Sequence, residues 1–390
     1  MRSFVRCHQI SLKRGMLIQR SYGSSLPIID LSRQQTRRDH DSKQEGDLSK
    51  QVYDAFSTWG AFVVVGSNIS AVQQRNTLEQ ARSFFNLPLS EKEKLHVKNG
   101  GIAWRGWMPF GGENTHGKLD EKEGLYLGPE HLESDPHMGT PLYGKNLFPD
   151  EVLPKFRQTS LDYITEVEKL GHRLMELTSL GLGLDDQFIR KNYTYDSLSI
   201  VRMFSYPYSS SSSLVPTVES NGKWGIGEHS DYGLLTMLTT DSPGLEFYNA
   251  KQKIWVNAPV IPGAIICNCG DILDRMTNGR FISPMHRAKN VNSDTLASRI
   301  SIPFFFDPSW NAQMKILPLH HLSPLTEQEN QDAQKRWDNT TIVKFEGEYS
   351  SFLAKKVSKI FSDVIPESAA ANLTSTKGPS SRFAIKIPVK

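Results

Sequence analysis

The sequence predicts a mainly β chain with flanking helices, and three observations carry that prediction. Beyond Tyr195, short apolar or alternating runs recur around 198–206, 233–239, 244–248, 263–268, 285–289 and 298–306, separated by Gly, Pro, Asn and Asp. Strands of this length and spacing suit a sandwich or jelly roll. Ahead of them the period changes, with Leu153, Phe156, Ile164, Val167, Leu174 and Leu177 holding one helical phase until Gly181 and Gly183. The third observation is length, since 390 residues accommodate a large β core with helical additions.

Taken in chain order, the first 29 residues carry Arg2, Arg6, Lys13, Arg14 and Arg20, several serines and no acidic side chain before Asp30. That composition matches a mitochondrial transit peptide or a basic tail, so the expected location is cytoplasmic or mitochondrial. Pro27 to Leu31 reads as a short strand, and the charged stretch from Gln34 to Gln44 as a loop. Leu48, Val52 and Phe56 recur at four-residue spacing and stop at Gly60, after which Ala61 to Val65 is β-branched and short enough to be a buried strand. A second amphipathic helix is expected from about Ser70 to Phe85, and Ser90-Glu91-Lys92-Glu93 reads as a capping box opening a third.

From 100 to 149 no period survives, and a connection that long is expected to be a lid-like loop that covers something. In it Trp104, Trp107 and Phe110 either line a substrate mouth or pin the loop to the body. His116, His131, His137 and His172 read as solvated or hydrogen-bonded rather than as ligands. Ser209 to Ser213 reads as a surface turn, and late helices are expected near 325–336 and 345–362. The organisation implied is a flexible tail or transit peptide at 1–26, a helical region at 27–185, a β catalytic domain at 186–310, carboxy-terminal helices at 311–365 and a tail at 366–390.

Charge excludes some partners. The 45 basic and 42 acidic residues are interspersed along the chain, giving a net charge of +3, whereas a nucleic-acid binder concentrates its basic residues in a patch. No apolar run approaches the roughly eighteen residues of a membrane span. A small-molecule substrate is expected, and nothing in the sequence fixes an oligomeric state. Three cysteines cannot make a disulfide framework; Cys267 and Cys269, two apart in an apolar run, are expected to be core residues.

The chemistry concentrates in three places. In Gly227-Glu228-His229-Ser230-Asp231-Tyr232-Gly233 an imidazole and a carboxylate stand two residues apart at a strand edge, so both can face one point. Completed by a second imidazole, such a pair is the facial triad that binds Fe(II) with open positions. His286, in Ser283-Pro284-Met285-His286-Arg287, is the remaining histidine of the β region before His320 and His321, and is the expected third ligand. Thirteen residues on, Arg299-Ile300-Ser301 puts a guanidinium and a hydroxyl on one face of an apolar strand. A buried arginine demands an anion, and a fork of this kind would grip the far carboxylate of 2-oxoglutarate. Alone, His-x-Asp is a common chance pair and Arg299 could serve a structural ion pair. Arg202, four residues before Tyr206 and on its strand face, could meet an acidic substrate or a core carboxylate.

These motifs, with Asn268-Cys269-Gly270-Asp271 and Tyr206-Pro207, resemble the isopenicillin N synthase-like branch of the 2-oxoglutarate and Fe(II)-dependent oxygenases. The likeness runs from Pro27 to about Pro308, with Trp59-Gly60-Ala61-Phe62 and Phe84-Phe85-Asn86-Leu87-Pro88 similar to the family's amino-terminal region. It implies a double-stranded β-helix, a distorted jelly roll, with Fe(II) on His229, Asp231 and His286. It further implies 2-oxoglutarate on Arg299, Ser301 and Tyr206, dioxygen as oxidant, and release of succinate and carbon dioxide as a small organic molecule is hydroxylated. Two features depart from the family pattern. Phe204 stands where an asparagine is usual two residues before the tyrosine, and the stretch from His286 to Arg299 is longer than in the plant enzymes. Since isopenicillin N synthase itself uses no 2-oxoglutarate, the resemblance also leaves open an oxidase of that kind, or a catalytically silent metal-binding protein of the same fold.

Overall fold

The computed structural model describes residues 25–32, 42–115, 118–207, 224–289, 298–338 and 345–360. The basic segment with Cys7, most of the charged stretch at 34–44, His116, the serine run and residues 290–297 lie outside them. The strands are β1 (Ile28–Asp30), β2 (Ala61–Val65), β3 (Gly106–Met108), β4 (Asn114–Thr115), β5 (Lys118–Leu119), β6 (Glu123–Leu127), β7 (Ser197–Pro207) and β8 (Trp224–His229). They continue with β9 (Leu235–Thr240), β10 (Leu245–Asn249), β11 (Ile254–Asn257), β12 (Ile265–Cys269), β13 (His286–Lys289), β14 (Ser298–Ser309), β15 (Gln313–Met314) and β16 (Gly347–Glu348). The helices are α1 (Ser42–Thr58), α2 (Ala71–Phe85), α3 (Leu89–Lys94), α4 (Phe156–Gly181), α5 (Phe188–Asn192), α6 (Asp271–Met276), α7 (Glu327–Asp338) and α8 (Tyr349–Ile360).

Two sheets form the body. The larger runs β1-β2-β12-β9-β14-β7-β6-β3 and the smaller β11-β10-β13-β8. Apart from the parallel β1–β2 pair, their ladders are antiparallel, the arrangement of a double-stranded β-helix.

Period-two alternation gives the larger sheet two unlike faces. Phe62 and Val64 of β2, Cys267 and Cys269 of β12, Met237 of β9, and Ile300, Ile302, Phe304 and Phe306 of β14 all belong to the main apolar core with α1, α2 and α4. The intervening residues face the smaller sheet. At one end Ala61, Val63 and Ile266 meet Leu245, Phe247 and Val256 in a second, smaller apolar cluster, which closes the two sheets on each other. At the other end the same face carries polar residues, among them Asn268, Thr236, Ser301 and Arg299. Both cysteines are free and buried in the core, as expected, with Asn268 between them pointing the opposite way.

Several expectations change in detail. The segment at 100–149 is not wholly a loop: β6 pairs with β7 and β3 with β6, so its strands extend the larger sheet. Strands of only three and five residues interrupted by Gly and Pro leave no periodicity to read. Because β1, β2, β3 and β6 all join that sheet, the β structure is not confined to 186–310. Ser90 caps nothing, since α3 begins one residue earlier, at Leu89 after Pro88, whose fixed ring suits a helix start better than a capping serine in the first turn. Ser70, by contrast, caps α2 through a bond from the Gln73 amide. No helix among the described residues is long and apolar enough to cross a membrane.

Candidate metal and co-substrate site

The site lies where β8 and β13 run side by side at the open end of the two sheets. His229 is the last residue of β8 and His286 the first of β13, and the two are cross-strand partners with ring centres 4.2 Å apart. His229 Nδ1 sits 2.8 Å from the Gly227 carbonyl and His286 Nδ1 3.2 Å from that of Pro284. A carbonyl only accepts, so each Nδ1 carries the hydrogen and each Nε2 keeps its lone pair for another partner. Burial and the neighbouring His286 together push the His229 pKa well down, so the ring is neutral at physiological pH.

Asp231 is not on a strand, contrary to the expectation that it shares one with His229; it lies in the turn between β8 and β9. That turn is fastened from outside. The amides of Gly270, Asp271 and Ile272 donate to the carbonyls of Leu234, Asp231 and Gly233, at 3.1, 2.7 and 3.1 Å. A Cβ on Gly270 would lie 2.1 Å from the Gly233 oxygen, and one on Gly233 would lie 2.0 Å from Asp307 Oδ1, so neither position tolerates a side chain. Asp307 Oδ1 accepts the Leu234 amide at 2.9 Å and completes the brace. Burial pushes the Asp307 carboxyl up to about 6.

One oxygen of Asp231 is spoken for. Oδ2 accepts from Thr236 Oγ1 at 2.6 Å and from Asn268 Nδ2 at 2.8 Å, while Oδ1 lies 3.7 Å from His286 Nε2. Burial works to raise this carboxyl, but the two histidines and the two donated hydrogen bonds outweigh it and hold its pKa below the usual value. His229, Asp231 and His286 thus bring one ligand atom each to within 4.8 Å of one another. Two imidazole nitrogens and one ionised oxygen, oriented by outer partners, fit a divalent iron with positions left open.

Arg299 and Ser301 lie on the same face of β14, both nearly inaccessible at 1% and 2% exposure. Arg299 pairs across the ladder with Tyr206, its guanidinium carbon 5.2 Å from the Tyr206 ring centre, and its Nε donates to the Ser242 carbonyl at 3.2 Å. Ser301 pairs with Phe204 on β7 and with Thr240 on β9. Burial pushes the Tyr206 phenol up, so it stays protonated.

Two family models match the chain. Residues 26–151 match the amino-terminal region of the non-haem dioxygenases of morphine synthesis, and residues 187–308 match the 2OG-Fe(II) oxygenase superfamily. A probable iron/ascorbate oxidoreductase of Dictyostelium discoideum is 38% identical, over 87% of this chain and 95% of that one. The chain belongs to the 2OG-Fe(II) oxygenase superfamily. A 1-aminocyclopropane-1-carboxylate oxidase of Dictyostelium mucoroides is 32% identical over 87% of this chain and 96% of its own. Among solved structures, a 2OG-Fe(II) oxygenase family protein of Caulobacter crescentus superposes with a TM-score of 0.67 at 22% identity, covering 87% of this chain and all of that one, which establishes the shared fold.

As a member of that superfamily the chain is an oxidoreductase, a non-haem Fe(II) dioxygenase with 2-oxoglutarate as co-substrate. Its fold is the double-stranded β-helix that the motifs imply. Thr236 and Asp307 were not legible as site residues, because nothing in their local sequence marks them; the turn between β8 and β9 brings Thr236 back to Asp231, and Asp307 reaches that turn from β14. Glu113, Asp120 and Lys122 were also missed. Lys122 Nζ lies 2.7 Å from Glu113 Oε2 and bonds Asp120, and Glu113 also receives Tyr126 and Arg202. Burial would raise Glu113, but Lys122 and Arg202 bring it down to about 2. Trp104 and Trp107 are buried anchors, whereas Phe110 is exposed. His131 and His137 pair with Asp135 and Asp196, and His172 packs edge-on to Phe306.

Proposed function

We propose that His229, Asp231 and His286 hold Fe(II), and that Arg299, with Ser301 and Tyr206, takes the far carboxylate of 2-oxoglutarate. The observation that carries this is the convergence of two Nε2 atoms and one carboxylate oxygen, each with its other polar atom already engaged. Held there, iron with 2-oxoglutarate would supply the oxidation by dioxygen that turns one substrate C–H into C–OH, with succinate and carbon dioxide as co-products. The chain's own residues do the rest. The Nε2 atoms of His229 and His286 would donate to the metal, with each Nδ1 held at a backbone carbonyl, and Thr236 and Asn268 fix which Asp231 oxygen faces it. Nε of Arg299 is held by Ser242, which sets the plane of the fork that would meet the carboxylate. Burial of Arg299, which is 1% exposed, strengthens that charge pairing.

The substrate is a small organic molecule; the interspersed charge supports a reading without nucleic acid. The test is direct. Purified protein with Fe(II), dioxygen and a metabolite mixture should consume 2-oxoglutarate and release succinate in step with a product one oxygen heavier. Arg299→Ala should keep its iron while its 2-oxoglutarate affinity falls by about 2–5 kcal/mol, read by calorimetry. Arg299→Lys should recover only part, because an ammonium lacks the two-pronged grip. Turnover of a found substrate with 2-oxoglutarate omitted, or unchanged binding in Arg299→Ala, would overturn the clamp.

A further inference from the structure

We propose that Arg202 receives a carboxylate of the primary substrate, so that the compound oxidised is an organic acid; this rests on the reading that iron lies at His229, Asp231 and His286. Arg202 shares with Phe204 and Tyr206 the face of β7 that carries the clamp's partners. Its guanidinium carbon lies 5.0 Å from the Tyr126 ring centre and 5.3 Å from that of Phe305. Phe305 in turn pairs across the ladder with Thr236, which bonds Asp231. The cation therefore stands one ladder step from the support of the metal carboxylate, and the Asp231 charge acts on it.

A core carboxylate is present, yet it is served mainly by others. Glu113 takes Lys122 at 2.7 Å and the Tyr126 hydroxyl, while Arg202 Nη1 reaches it only at 3.4 Å. Among the described residues the buried Nε of Arg202 has no hydrogen-bond acceptor. Burying a guanidinium N–H without an acceptor is unfavourable, and a guanidinium held along one edge offers the other to a carboxylate. Stacking between two rings fixes the plane of that edge. Glu113 is then a positioning residue that holds the Nη1 side. Since Lys122 and Arg202 are balanced by Glu113 and Asp120, the wall is charge-alternating, which suits either a plain acid or an amino acid whose ammonium meets a carboxylate.

The full chain, loaded with Fe(II) and kept free of dioxygen, is first titrated with 2-oxoglutarate by calorimetry. With and without 2-oxoglutarate it is then heated with phenylacetate, hexanoate, leucine or 1-aminocyclopropane-1-carboxylate, each beside its primary amide. At least one acid is expected to raise the melting temperature while its amide does not, and the amino acids against the plain acids identify the source of the carboxylate. Arg202→Gln is expected to weaken that acid about 30-fold or more, with 2-oxoglutarate affinity held within about twofold, and Arg202→Lys to regain part. The proposal falls if no acid acts, if the amides match the acids, if Arg202→Gln binds the acid like the parent, or if it loses 2-oxoglutarate equally. A parent that does not bind 2-oxoglutarate would overturn the co-substrate reading instead, while the acid arm run without it still decides Arg202.

Discussion

Strand β14 presents Ile300, Ile302, Phe304 and Phe306 to the helices and Arg299, Ser301 and Phe305 to the space between the sheets. The first set is wholly buried among apolar side chains and holds the sheet on α4. The second set includes the guanidinium of Arg299 and the hydroxyl of Ser301, polar groups whose burial costs stability in exchange for the chemistry proposed for them. One backbone serves both, because successive residues of a strand face opposite ways. The lesson is that stability and chemistry are separable here by residue parity, and substitutions should respect the division.

The largest effect should come from the proposed metal ligands that lie beside the chemical face. His229→Ala or Asp231→Ala should reduce succinate release to background and abolish stoichiometric iron in metal analysis, because each would remove one of the three proposed protein ligands. The metal-free melting temperature should move far less than in a core variant; a large drop would show that these residues also hold the fold. Phe304→Ala tests the other face and should lower stability by about 3–5 kcal/mol, seen as a fall in urea midpoint at constant slope. The fraction that remains folded should keep its 2-oxoglutarate affinity, and a parallel loss of both would break the separation.

Asn268 sharpens the comparison, since it sits between two core cysteines but reaches Asp231. Asn268→Ala should weaken iron about 10–100-fold in a competition with a chelator while barely moving the urea midpoint. The smallest effect concerns Asp307. Its carboxyl holds a proton to a higher pH in the folded state than in the unfolded chain, so stability is full below about pH 4 and declines as pH rises through about 6. Asp307→Asn cannot ionise and should lack that decline, which in the parent amounts to about 1–3 kcal/mol across the window in metal-free unfolding curves. Equal slopes in parent and variant would place the titration elsewhere.

Much of this architecture was legible from residue order. Helices α1, α2 and α4 followed from apolar spacing, and six of the strands from alternation between turn residues, because those signals are local. Strands β8 and β11 were not, being short and rich in Gly, Trp and Asn, and β3 and β6 were hidden in a glycine-rich stretch whose pairing supplies what propensity does not. The Ser90 capping box failed for a comparable reason: Pro88 ahead of it starts the helix first.

What the sequence offered by itself was the proposed donor chemistry: two histidines, an aspartate, and an arginine with a serine two residues on, in the order of the motifs that carry the family resemblance. Residue type and spacing are enough for that, since ligand identity is a property of side chains. Tertiary structure alone decided that Asp231 would be held in a turn by the amides of 270–272, that Thr236 and Asn268 would choose its free oxygen, and that Arg202 would meet Glu113 from a segment 89 residues away in the chain. Apart from the Thr236 bond, which spans five residues, each of these joins segments far apart in the chain, and such bonds exist only once the sheet register is set.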